Sequence, residues 1–250
     1  MPLRSTFTVI AIVLVPCLAA DAEAQSRWTV DFENGAATAG YNDVRIPGDT
    51  GTLFSLTDDL SSQTAYFWRV RAGVRLAPRH ELSVLAAPLT LNASGTFDRP
   101  VFFVDTTFDA GTPVTGRYVF NSYRLTYRYT AVQSANWRFG IGVTGKIRDA
   151  STRLEAPGKS AEKTNVGFVP LVNFVLERRL GSRAMFQVEG DALAAPQGRA
   201  EDIFTGVLVS VNRNLSVKAG YRFLEGGADN DEVYTFALIH YVSVGAVLRF

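Results

Sequence analysis

Apolar and polar residues alternate along almost the whole chain beyond residue 27. Trp28, Val30 and Phe32 interleave with Thr29, Asp31 and Glu33, and Trp68, Val70, Ala72, Val74 and Leu76 with Arg69, Arg71, Gly73 and Arg75. The same period of two runs through Tyr123, Leu125, Tyr127 and Tyr129, then Trp137, Phe139, Ile141 and Val143, and later Leu215, Val217, Ala219, Tyr221 and Phe223. Side chains two apart share one face of a strand, so each segment has an apolar and a polar face. No segment carries a helical period, which predicts an all-β chain. Ten strands are expected, starting near Arg27, Tyr66, Glu81, Gly116, Trp137, Lys163, Arg183, Ala200, Leu215 and Glu232. Short connections near residues 77–79, 133–136, 181–182 and 212–214 alternate with longer polar ones at 37–64, 93–115, 150–162, 194–199 and 226–231.

Alternation suits two architectures. A soluble lipocalin-like barrel turns the apolar face inward, and a membrane barrel turns it toward lipid. Four features favour the membrane. The polar face mixes charges of both signs with many glycines, as a narrow lumen requires. Aromatic residues form two sets, with Trp28, Tyr127, Tyr129 and Trp137 near the short turns and Tyr66, Trp68, Phe168, Tyr221 and Phe223 near the long loops, matching two bilayer interfaces. Short turns at one end and long loops at the other fit periplasmic and extracellular sides, and an even strand number places both termini in the periplasm. The chain also ends Ser243-Val244-Gly245-Ala246-Val247-Leu248-Arg249-Phe250. This resembles the C-terminal assembly signal of bacterial outer-membrane β-barrel proteins in Ser243, Gly245, Leu248 and the terminal Phe250. The resemblance implies insertion by the outer-membrane barrel assembly machinery, with the last strand closing on the first. The expected fold is therefore an antiparallel up-and-down transmembrane β-barrel of about ten strands. Eight or twelve are alternatives, twelve if 52–60 and 101–108 also cross.

The N-terminus supports export. Arg4, an apolar run over residues 7–18 and Ala22-Glu23-Ala24 read as a signal peptide over 1–24, leaving 25–250 as one barrel domain. The apolar run is shorter than the roughly 20 residues of a membrane helix. Cys17, the only cysteine, follows Val15-Pro16 rather than the small residues of a lipoprotein signal, so the mature chain is expected to be cysteine-free.

Composition alone would suit a soluble globular protein, with 47% hydrophobic and 20% charged residues in 250. The 25 basic and 24 acidic residues give no reason to expect nucleic acid. Parity turns Arg69, Arg71, Arg75, Arg124, Arg128, Arg138, Lys146, Arg148, Lys218 and Arg222 inward, together with Asp31, Glu33, Glu81, Glu177, Glu189, Asp191 and Asp202. Opposite charges in a narrow lumen should pair. One reading is a salt-bridge plug. Another is a ligand pocket or narrow pore with Arg148, Asp191, Asp202 and Glu225 near its extracellular mouth. In the first long loop Leu53, Phe54, Leu56 and Leu60 are expected to pack against that mouth.

Other motifs carry less. Gly140-Ile141-Gly142-Val143-Thr144-Gly145 spells a dinucleotide-binding pattern, but inside an alternating strand with no helix to follow. His240 and Ser243 are the nearest approach to the His-x-Ser pair of outer-membrane lipid hydrolases. Three apart on a regular strand, they point to opposite faces. His80 beside Pro78 reads as solvated, and Asp229, Asp231 and Glu232 lack the glycine and distal glutamate of a calcium loop. The expected protein is a monomer in outer-membrane lipid, without cofactor or metal, acting as a structural or binding barrel or narrow channel. A lipid-modifying hydrolase and a soluble periplasmic binding protein are the alternatives.

Overall fold

The computed structural model describes residues 27–196 and 198–250. The expected signal peptide, with Cys17, lies outside the described residues. Strands follow in the order β1 (Trp28–Arg45), β2 (Phe54–Ser55), β3 (Leu60–Ser62), β4 (Ala65–Ala77), β5 (His80–Ala87), β6 (Thr90–Thr96), β7 (Val101–Phe103), β8 (Thr106–Phe108), β9 (Pro113–Gln133), β10 (Trp137–Ala156), β11 (Lys159–Arg179), β12 (Ala184–Ala195), β13 (Gly198–Ser210), β14 (Leu215–Asp229) and β15 (Tyr234–Arg249).

These strands build a closed, antiparallel ten-stranded barrel, with no helix among the described residues. β5 and β6 form one of the ten walls, because both pair with β9 and are parted only at Pro88 and Leu89. Proline has no N–H to give, so the ladder skips a rung there. The seam joins β15 to β1 from Thr29↔Arg249 to Arg45↔Tyr234, with one irregularity between Ala39 and Tyr41. It is finished by two bonds, Trp28 N–H to the Phe250 carbonyl at 2.7 Å and Phe250 N–H to the Trp28 carbonyl at 3.0 Å.

The apolar face points out. Val242 is 70% exposed while its neighbour Tyr241 is 3% exposed, an inversion that a soluble barrel would not show. Outward Trp28, Trp137 and Tyr127 form the lower aromatic belt, and Tyr66, Trp68, Phe168 and Tyr221 the upper one.

Two expectations need correction at the upper end. Residues 150–162 are not a loop: β10 and β11 stay paired to Ala156↔Lys159, so the hairpin stands well above the upper belt. Residues 52–60 and 101–108 do not cross the membrane, which removes the twelve-strand alternative. β2 leans on β1, β3 on β6, and β7 and β8 form a separate small hairpin. With two or three residues each, they fall far short of the 9–11 or so that a crossing needs.

Their apolar residues fill the mouth instead. Phe54 meets Phe97 and Phe103 edge-on at 5.6 and 5.5 Å, and Leu56, Leu60 and Phe108 are buried with them. Leu53 is the exception, at 47% exposed. Arg99 ties the two loops, donating to Asp59 at 2.9 Å and to the Leu53 carbonyl at 2.9 Å. Thr52 N–H reaches the Phe102 carbonyl and Val104 N–H the Ile46 carbonyl. Val104 is held there at φ 60°, a conformation unusual for a β-branched residue. Burial pushes the Asp59 carboxyl up, but hydrogen bonds from Arg99 and the Ser55 N–H outweigh it and hold the group below its ordinary value.

Candidate functional site

The lumen has three tiers. At the lower end a polar cavity of about 460 Å3 opens between Arg75, His80, Glu81, Arg128 and Arg138. A lattice of buried ion pairs lies above it. A second cavity, of about 390 Å3, lies toward the upper end.

The lattice joins most of the walls. Glu33 on β1 accepts from Arg222 at 2.7 Å and from Lys218 at 3.0 Å, and Lys218 also reaches Asp31 at 2.7 Å. Arg222 continues to Asp202 at 2.6 Å, which also receives Arg69 at 2.9 Å and Arg124. Arg124 goes on to Asp191 at 2.6 Å, whose other oxygen accepts from Thr144 at 2.6 Å and Asn173 at 2.7 Å. Nearer the lower cavity Arg138 holds Glu177 with two bonds of 2.7 and 2.6 Å. Buried charges of one sign would be costly, and here each carboxylate in the lattice meets at least one cation.

Glycines make the lattice possible. A Cβ on Gly206 would lie 2.5 Å from the Phe204 ring and one on Gly220 2.8 Å from it. Their absence lets Phe204 lie in the lumen under Lys218 and Arg222, at 5.0 and 5.3 Å. The glycine-rich segment of β10 acts alike, since a Cβ on Gly140 would meet the Arg128 stem at 3.0 Å.

The four residues expected at the extracellular mouth separate into two groups. Asp191 and Asp202 lie within the lattice, 1% and 2% exposed, with their oxygens engaged. Arg148 and Glu225 line the upper cavity. Glu225 is occupied by Arg199 at 2.7 Å and by the Tyr41 hydroxyl. Among the described residues Arg148 donates only to Asn165, and its Nε is buried without a partner. Lys146, one inward position below Arg148 on β10, also lines this cavity, and sequence reasoning placed it in the lumen without singling it out. It is 3% exposed, lies over the Phe120 ring at 4.7 Å and has no ion pair among the described residues. Its signal in the sequence is an inward lysine two residues from an inward arginine, with alanine and threonine at the next inward positions, 150 and 152.

The remaining candidates stay apart. His240 is on the outer face beside Tyr221, and Ser243 is buried on the inner face with its hydroxyl unpartnered. β15 is regular through both, so no bulge brings them together. His80 Nδ1 is 2.7 Å from the Tyr127 hydroxyl. No group of three or more histidine, cysteine, aspartate or glutamate side chains suited to a metal gathers among the described residues. Of the terminal motif, Gly245 sits opposite Glu33 and Lys218, where a Cβ would come within 2.2 Å of the Phe32 carbonyl oxygen, and Leu248 and Phe250 face outward.

Solved structures share this architecture. The outer membrane protease OmpT from Escherichia coli superposes with a TM-score of 0.56 over 90% of this chain and 97% of its own, at 10% identity. Ail, the attachment invasion locus protein of Yersinia pestis, matches at TM-score 0.36 and 10% identity over 90% of this chain and 99% of its own. The Pseudomonas putida toluene transporter TodX matches at TM-score 0.34 and 9% identity over 91% and 90%. No protein-family model matches the sequence, and no curated protein does. At such identities the likeness is one of fold, and the fold is that of a bacterial outer-membrane β-barrel.

Proposed function

We propose that this protein is exported by its N-terminal segment, placed in the outer membrane by the barrel assembly machinery, and acts there as a monomeric, cofactor-free barrel with a sealed lumen that binds at its extracellular end. The observation that supports this reading is the ion-pair lattice from Glu33 to Asp191. It fills the lumen between the two cavities, and the apolar loop plug lies above it. An ion crossing would have to displace buried pairs whose desolvation is already compensated. Planar-bilayer recording tests it. Purified protein is expected to give no regular conductance steps, and steps in the wild-type protein would overturn the reading. A narrow channel is the second reading, favoured by cavities on both sides of the lattice. It predicts steps altered by Asp191→Ala or Arg148→Ala.

A further inference from the structure

β11 and β12 pair only up to Val172↔Ala192. Above that rung β11 continues to Lys159 against β10 alone, while β12 turns back into β13 at Ala195↔Gly198. The barrel wall is therefore notched. Pro170, just above the last rung, has no N–H with which to extend the ladder. The notch opens into the upper cavity, with Phe168 on one lip and Leu193 on the other, 67% and 38% exposed. Phe168 belongs to the lipid-facing aromatic belt and lines the cavity too, so the cavity meets the outer leaflet sideways.

The inner end of the cavity is cationic. Lys146 is buried without a carboxylate partner, and Arg148 beside it has a buried Nε without an acceptor. A buried ammonium is costly unless an anion meets it, and Glu225, the one carboxylate among the residues lining the cavity, is held by Arg199 instead. The rest of the wall is largely apolar, with Phe120 and Leu224 among its residues. A site with a cationic end, apolar sides and an opening to lipid suits one class of molecule. We propose that the notch and cavity bind an amphipathic anion with a single acyl chain, its carboxylate or phosphate head on Lys146 and Arg148 and its chain leaving past Phe168. This deepens the reading of a binding barrel and rests on it.

The test uses amphipol-held protein titrated with a dansylated fatty acid, and with the matching primary alcohol as the neutral probe. The acid is expected to give a saturable rise in fluorescence, with the alcohol about tenfold weaker or more, as loss of a charge-assisted hydrogen bond implies. Lys146→Met should weaken the acid about tenfold and Lys146→Arg should restore it. Where Lys146→Met does not reach the heat-modifiable folded form, Arg148→Gln is read in its place with the same expectation. Leu193→Trp, on the exposed lip, should block the chain and abolish binding. Equal binding of acid and alcohol, or full binding by the folded cation variants, would overturn the proposal. Displacement by palmitate identifies a free fatty anion and displacement by lysophosphatidate a lipid phosphate; displacement by neither overturns it. Bilayer recording on the same preparation keeps the two readings apart. Conductance with intact binding would end the sealed lumen alone, and silence without binding would end the pocket alone.

Discussion

Arg124 reaches across the lumen from β9 to Asp191 on β12, 2.6 Å away, and its other terminal nitrogen rests on Asp202 of β13. Asp202 also takes Arg69 from β4 and Arg222 from β14, so one buried carboxylate ties four walls. Neutralising it leaves three arginines without this anion. Asp202→Asn is expected to cost about 3–5 kcal/mol, the usual penalty for stripping one partner from a buried pair. Urea unfolding from phospholipid vesicles measures it, and a transition matching wild type would contradict the account.

Gly220 tests whether the lattice depends on the space glycine leaves. A Cβ there would lie 2.4 Å from the Thr205 carbonyl oxygen as well as 2.8 Å from Phe204. Gly220→Ala is expected to destabilise the barrel by about 1–3 kcal/mol through overpacking. Phe204→Leu in the same chain should recover only part, because the backbone oxygen stays in place. Complete recovery would locate the strain in the ring alone.

The loop clasp should respond to acid. The folded-state pKa of Asp59 lies below its ordinary value near 3.8. Its contribution is therefore present above that ordinary value and lost as pH falls through the lower folded value. Pepsin digestion at a series of pH values below about 4 should cut residues 46–64 progressively faster relative to the barrel. Asp59→Asn should flatten that relative dependence and raise cutting throughout. An unchanged pH profile in the variant would remove Asp59 from the clasp.

Phe250 separates assembly from stability. Its side chain is 62% exposed, while its backbone closes the seam with Trp28. Phe250→Ala is expected to lower the amount of folded protein in the outer membrane in cells. The refolded protein should unfold within about 1 kcal/mol of wild type, as for an exposed side chain away from packed contacts. Equal losses in both experiments would count against a signalling role for the terminal residue.

Much of the barrel was legible because parity is a local property. Arg69, Arg124 and Arg222 could be turned inward from their neighbours two residues away, and the structure buries all three. The same rule, carried along β14 from Val217 through Phe223, turns Glu225 outward, which explains why it meets Arg199 and Tyr41 rather than Asp202. Phe54, Leu56 and Leu60 were legible as a plug from their apolarity. Their partners Phe97 and Phe103 lie about forty residues away in a second loop, and no periodicity reports such pairing. The ladder over 150–162 was missed because Lys159, Glu162 and Lys163 look like loop residues when both faces of a strand stand in water. The notch was equally hidden: Pro170 was visible, but how far β12 rises beside it depends on where the β12–β13 hairpin turns.

The seam sets the order in which the interior can form. Glu33 enters with the first strand, whereas its partners Lys218 and Arg222 arrive near the end of the chain, and β15 must lie between them before the ring is complete. Until then, the charges of both edges have no counterpart across the gap and keep their water. Pairing of Glu33 and Asp31 with β14 and completion of the ring are thus a single late event. Contacts so distant in sequence are slow to find, so an unfinished sheet lacks the Glu33 end of the lattice until the last strand pairs.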